Sequence, residues 1–389
     1  MVIPLPPLDA FRADRDQAPE PSAEEGVWLQ VALLGHRAAA LPPHERTPYL
    51  STIRGLQPAA SGDICDVIIA TAIQMEDAAY FHLALSTLDA ALRLLSLAEV
   101  DRRGMATAYQ ARVLRQLNQP EAALDRYNAV IELGESTTRP ALVARGIVGL
   151  GLLARFRGNL SEARQYFNRT LRIEEAASDT RRVAHQGLMI CAGSAGDLPT
   201  AARHAWAAYV ESAGADRSAA LIDLSVVLLR SGNERAALSG FAAAVREPLL
   251  PRYELPALGG LALAAARSAG ESLAESLVRG ADRRLDALLR SSTLTYLQTT
   301  ALADVADSFA EIGDDATAAS RRQKARDLAA RHGYHELLFR LEITMDQDVR
   351  RAARRESSVV TAPTDIVEAV ESITSEERLA ETALVLCGA

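Results

Sequence analysis

His332 and His335 stand three residues apart in "ARHGYHE", so on one helix they would share a face and could hold a metal ion. A histidine pair near a helix end more often serves as surface or cap, and the expectation is no metal and no cofactor. The other five of the seven histidines are scattered. Cys65, Cys191 and Cys387 are odd in number and far apart, and they form neither a metal pattern nor a disulfide framework. That fits a reducing compartment. No GxxxxGK[ST], HExxH or GxSxG motif occurs, and no GxGxxG follows a strand. "GLGLLARFRG" is rich in glycine, but it lies inside a helical pattern and reads as packing rather than a phosphate cradle. Carboxylates are plentiful, yet none is singled out as one of an acid–base pair. The chain is expected not to be an enzyme.

Composition points the same way. The 389 residues are 49% hydrophobic but only 5% aromatic, so Ala, Leu and Val carry the apolar mass and suit close helix-on-helix packing. Strand alternation is almost absent. A net charge of −8 argues against direct nucleic-acid binding. No stretch reaches the roughly 20 apolar residues of a membrane span. "MVIPLPPLDAFRADRD" has no basic and apolar leader pattern. The expected location is cytoplasmic, with no membrane contact.

What positions the polar residues is a repeat. In "GLGLLARFRGNLSEARQYFNRTLRI", Gly151 lies twelve residues before Ala163, and Phe167 and Thr170 follow at steps of four and three. Glycine inside a helix costs about 1 kcal/mol relative to alanine, unless another helix must come close. Gly158 is placed to end the first helix and Ser161 to help start the second. The same spacing returns at Ala72/Ala84/Leu88/Ala91, Ala111/Ala123/Tyr127/Val130, Met189/Ala201/Ala205/Ala208, Ser225/Ala237/Phe241/Ala244, Ala262/Ala274/Val278/Ala281 and Ala306/Ala318/Arg322/Ala325.

These seven units resemble the tetratricopeptide repeat (TPR) family: small residue at position 8, Ala at 20, large residue at 24, small residue at 27. The unit spacings are 39, 40, 38, 36, 37 and 44 residues against the family's 34, and the family's tryptophan and proline are largely missing, so the repeats are degenerate. The resemblance covers roughly residues 61–330. It implies an all-α fold: a right-handed TPR-like α-solenoid of about seven helix pairs with capping helices, and a concave groove lined by the first helix of each pair. Family positions 2, 5, 6, 9, 12 and 13 then face that groove. On this alignment the partner-binding residues are Tyr109, Arg112, Arg115, Arg145, Leu152, Arg155, Ile190, Val226, Arg230 and Arg267, with Phe156 either groove or core. Asp66, Glu76 and Asp77 at one end and Asp304, Asp307 and Glu311 at the other make the ends acidic. The implied partner is a protein or peptide with an acidic and apolar segment. The competing reading leaves the arginines solvated, their stems packed on neighbouring helices. The family's Lys/Asn carboxylate clamp is missing, since the chain has a single lysine, Lys324.

Four segments follow. Residues 1–25 are expected to be a disordered or loosely attached lead, 26–60 N-terminal capping helices with Trp28 in their core, 61–344 the superhelix with a C-terminal capping helix, and 345–389 a charged tail with short amphipathic helices. Thr374 and Glu377 fit a capping box in that tail. The tail either packs back as a solvated end or occupies a groove, the chain's own included; a homo-oligomer is left open. The expected function is a non-enzymatic scaffold or adaptor, or alternatively a signal-responsive regulator whose groove takes a peptide or small ligand and switches a partner.

Overall fold

The computed structural model describes residues 64–77, 80–291, 294–343 and 362–387, all helices and their connections, with no strand among them. The expected lead and N-terminal cap lie outside the described residues. Two compact units divide the chain at Thr180. The first holds α1 (Ile64–Asp77), α2 (Phe81–Leu94), α3 (Val100–Gln116), α4 (Pro120–Ser136), α5 (Pro140–Phe156) and α6 (Leu160–Leu171). The second begins inside the first turn of α7 (Ser178–Ser194). It continues through α8 (Leu198–Val210), α9 (Gly214–Arg230), α10 (Glu234–Val245), α11 (Pro251–Ser268), α12 (Glu271–Ser291), α13 (Thr295–Glu311) and α14 (Asp315–His332). It ends with α15 (His335–Ile343), α16 (Thr364–Glu371) and α17 (Glu376–Cys387).

From α1 to α6 and from α8 to α15 consecutive helices pack on one another, and odd helices also touch the next odd one, as α3 touches α5 and α11 touches α13. That is the packing of a helical solenoid, in which no pair buries its apolar side alone. All 28 positions of the repeat pattern are buried except Arg322. There a guanidinium replaces the large apolar residue and reaches Asp307 Oδ1 at 3.2 Å.

The opening glycines have two distinct reasons. A Cβ on Gly151 would stand 2.6 Å from the ring of Phe167, the large residue of its own pair. Gly149 and Gly260 instead lie against Tyr127 and Phe241, the large residues of the preceding pairs, and a Cβ on either would fall inside van der Waals contact. Both sit two residues before the small position 8, so an aromatic at position 24 in one repeat is met by a glycine at position 6 of the next.

The turns between paired helices also repeat. Asn118, Gly158, Gly196, Gly232 and Gly313 all have positive φ, and each stands five residues before the aligned alanine. Asparagine tolerates that conformation where glycine is absent. Ser161 is not the helix start: Asn159 caps α6, its Oδ1 accepting from Glu162 N at 3.2 Å. Asp197 and Asp314 do the same for α8 and α14. An Asn or Asp at this point satisfies an orphan N–H directly after the turn.

The tail follows from α10. An even helix without such cover, α6, buries only Ala163, Phe167 and Thr170. In α10 every residue from Ala236 to Ala242 is buried, because α16 and α17 cover its outer side. Ile366, Val370, Leu379 and Ala383 enter the same apolar core as Phe241. Thr374 Oγ1 donates to Ser239 O at 3.0 Å, and Asn233 Oδ1 accepts from Ala362 N at 3.2 Å. Thr374 is therefore not the cap of α17; Ser375 takes that place, its Oγ accepting from Arg378 N at 3.4 Å. The described tail contacts run to the even helices α8, α10 and α12.

On α12, Asp282 and Asp286 stand one turn apart, and Arg321 Nη2 of α14 lies 2.7 Å from an oxygen of each. Burial pushes the Asp282 carboxyl up, and Arg321 recovers only part of that. Its Oδ1 has no hydrogen-bond partner among the described residues. Burial also raises Asp286, but less, and Arg321 and Lys324 bring it below the ordinary carboxylate range. An acid whose folded pKa is raised loses stability as pH climbs from its unfolded value toward the folded one. An acid whose folded pKa is lowered contributes stability above its unfolded value, lost as pH falls through the folded one. Asp282→Asn is therefore expected to cost under about 1 kcal/mol at pH 7. Asp286→Asn is expected to cost more at pH 7 than at pH 3. Thermal melts of both variants at the two pH values check this.

Candidate ligand-binding face on the odd-numbered helices

The residues assigned from repeat position sit on the odd helices, and each unit is described by itself. In the first unit, Arg112 of α3 donates from Nε to Glu76 Oε1 of α1 at 2.5 Å, and its guanidinium lies 5.6 Å from the centre of the half-buried Tyr109 ring. The Gln116 amide donates to the same oxygen of Glu76, a buried carboxylate. Arg102 of α3 reaches Asp66 of α1 at 3.0 Å, and Arg145 of α5 reaches Asp179 at 2.7 Å. Burial raises the Asp179 carboxyl, but Arg145 and Thr180 outweigh burial and hold it below its ordinary value.

Arg115 of α3 stands beside the Tyr127 phenol, whose pKa burial pushes up and Arg115 draws back. Leu152, Arg155 and Phe156 follow at steps of three and one on α5 and so share one face. Leu152 and Arg155 are half-buried, and Phe156 is 46% exposed, at the helix end rather than in the core.

In the second unit, Arg230 of α9 donates to Gly193 O of α7 at 3.1 Å, Gln186 of α7 to Asp223 of α9 at 2.6 Å, and Arg267 of α11 lies 3.6 Å from Glu311 of α13. Ile190 packs against the core, and Val226 is partly exposed.

Arg112, Arg145, Arg230 and Arg267 thus carry cross-repeat bonds rather than standing solvated. The separations are 36, 34, 37 and 44 residues, the length of a repeat. The sequence contrast between acidic ends and a basic middle is spent partly inside the chain. Opposite charges one repeat apart were the signal for this, but a 36-residue spacing means a contact only once adjacent helices are in register.

His332 closes α14 and His335 opens α15, so their three-residue spacing does not put them on one helix. The His332 ring stacks on Tyr334 with centroids 5.7 Å apart. Among the described residues no group of three or more His, Cys, Asp or Glu side chains is placed to hold a metal, and no helix is long and apolar enough to cross a membrane.

No family model matches the chain, and no curated protein matches it by sequence. Solved structures do. BtubC (BKLC) from P. vanneervenii is 16% identical over 58% of this chain and 91% of its own, with a TM-score of 0.38. A Signal Transduction ATPase with Numerous Domains (STAND) protein with a tetratricopeptide repeat sensor, from Pyrococcus horikoshii, is 12% identical over 82% of this chain, with a TM-score of 0.51. The chain spans half the length of that second protein. At such identity the likeness concerns fold alone, and with the helix pairing above it makes this chain an all-helical repeat solenoid.

Proposed function

We propose that this chain is a degenerate TPR-type scaffold or adaptor, non-enzymatic and cytoplasmic, that binds a protein segment on the odd-helix face of its first unit. The observation that carries the reading is the Leu152, Arg155 and Phe156 face of α5, with the large aromatic Phe156 left 46% exposed at the helix end. Arg115 holds on α3 the repeat position that Arg155 holds on α5, and the two helices pack side by side. Packed helix axes lie about 8–10 Å apart. An extended segment rises about 3.3 Å per residue, so carboxylates three residues apart span the two helices. Between them an apolar side chain would rest on Phe156 and Leu152. Aromatic and arginine anchors are the usual carriers of binding energy at such surfaces. The alternative, a regulator that switches a partner when ligand binds, is favoured by one observation: the fold is shared with a signal-transduction protein described as carrying a tetratricopeptide repeat sensor.

The test is selection of a displayed peptide library on the intact chain, followed by affinity measurement on Arg115→Glu/Arg155→Glu. Arg112 is left alone, because reversing it would set two carboxylates against each other at buried Glu76. Selected peptides should be acidic and apolar, and the variant should bind them at least about tenfold more weakly while its helical circular dichroism and cooperative melting are retained. Equal binding by the variant, or enrichment of basic peptides, would overturn the reading.

A further inference from the structure

A cavity of about 500 Å³ lies in the second unit, between the helix array and the tail. Val245 at the end of α10, Leu249 in the turn to α11, Leu258 of α11 and Ala287 of α12 line it from the array; Val385 and Leu386 of α17 line it from the tail. Leu386 also packs against both the Phe241 core and the Phe309 core. Leu250 and Leu384, each next in sequence to a lining residue, are 49% and 58% exposed, and Val385 itself is 66% exposed. Exposed apolar side chains gathered at one place mark binding sites. The cavity shares no residue with the face on α3 and α5.

Its polar groups are few and arranged. Glu254 is buried, and its Oε1 accepts from Arg284 Nε at 2.5 Å. The Arg284 Nη nitrogens make no hydrogen bond to a described residue. Arg283 and Glu247, both exposed, bring the other two charges, so the lining is neutral in sum. Ligand cavities commonly measure about 300–1,000 Å³ and combine apolar walls with a small number of polar groups. An apolar cavity of about 150 Å³ holds benzene, so this one has room for a two-ring molecule. We propose that it binds a small uncharged molecule with an apolar body and a carbonyl group, the carbonyl accepting from Arg284 and the body resting between the α10–α11 turn and α17. A charged ligand is disfavoured, because its charge would meet apolar walls and a lining whose own charges already cancel. Glu254 is a positioning residue: it holds Nε and leaves the Nη groups to the ligand. Since one wall is the tail, the ligand binds only the docked form and so holds α17 in place.

The experiment titrates the full chain with prodan, an uncharged naphthyl ketone whose emission moves to the blue on leaving water. Leu249→Asp and Val385→Asp are compared, one from each side of the cavity. Leu249 lies in a turn and Val385 is exposed, so neither change opens the core, and retained helical circular dichroism checks this. One prodan per chain is expected, with affinity at least tenfold weaker in each variant. The parent 2-dimethylaminonaphthalene, which lacks the carbonyl, should compete at least tenfold more weakly. With prodan at about ten times its Kd, hydrogen exchange through residues 376–387 should slow about tenfold in the intact chain and stay unchanged in Leu249→Asp. Equal affinity in the two variants, or no binding up to the solubility of prodan, would overturn the proposal. Equal competition by the parent amine would overturn the Arg284 contact, and unslowed exchange in α17 would overturn the tail as a wall.

Discussion

Phe241→Ala is expected to lower the unfolding free energy by about 3–5 kcal/mol, the usual cost of removing a fully buried phenylalanine. Phe241 is 0% exposed, and its ring occupies the space where a side chain on Gly260 of α11 would stand. That contact gives the prediction a second, sharper half. Gly260→Ala alone gains about 1 kcal/mol of helix propensity but drives a methyl into the ring, and overpacking of this kind typically costs about 1–3 kcal/mol. In the Phe241→Ala background the ring is gone, the methyl enters part of the cavity, and the propensity gain is unopposed. Gly260→Ala should therefore destabilise the wild type and stabilise the Phe241 variant. A double-mutant cycle from urea unfolding, followed by circular dichroism, reads the coupling directly. If Gly260→Ala has the same sign in both backgrounds, the pairing of an aromatic at one repeat with a glycine at the next does not govern the stacking. Gly149 and Tyr127 offer the same cycle in the first unit.

Val370→Asp is expected to detach the tail. The Val370 side chain is fully buried on α10, and a Cβ on Gly240 would lie 3.3 Å from it. A carboxylate there has no partner and no water, a cost of several kcal/mol. The rim ion pairs, Arg235–Glu376 at 3.4 Å and Arg246–Glu381 at 3.1 Å, are exposed and each worth at most about 1 kcal/mol. The chain avoids the larger cost by releasing α16 and α17. Hydrogen exchange measured by mass spectrometry should rise throughout residues 362–387 and also in α10, whose outer side loses its cover. Glu376→Lys should leave both nearly unchanged. An α10 that keeps its protection after the tail is freed would show that the tail is not what buries it.

The features legible from the residues alone are local. Ala163, Phe167 and Thr170 fall on one helical face because the helix has 3.6 residues per turn, and that holds whatever the helix later packs against. The repeat phase, the helix pairs and the turn at Gly158 were all legible for this reason. Ser161 and Thr374 mark the limit. Each stood near a helix start, and the cap went to a neighbour because the turn geometry and a contact with Ser239 decided which oxygen faced the free N–H.

Where the long side chains end depends on packing between helices. Arg112 and Arg115 are three residues apart and look alike in sequence, yet Arg112 is tied to Glu76 of the preceding odd helix and Arg115 stands beside Tyr127. Their difference depends on which helix passes within reach, and that is set by stacking across some 36 residues. The tail's docking on α10 is of the same kind. Its trace in the sequence was an even helix, "ERAALSGFAAAV", with little polar face, but an apolar outer side does not say what covers it. The His185–His204 contact likewise exists only because α7 and α8 pack with those two rings facing. Periodicity fixes which side a residue takes; the partner on that side is a property of the packed chain.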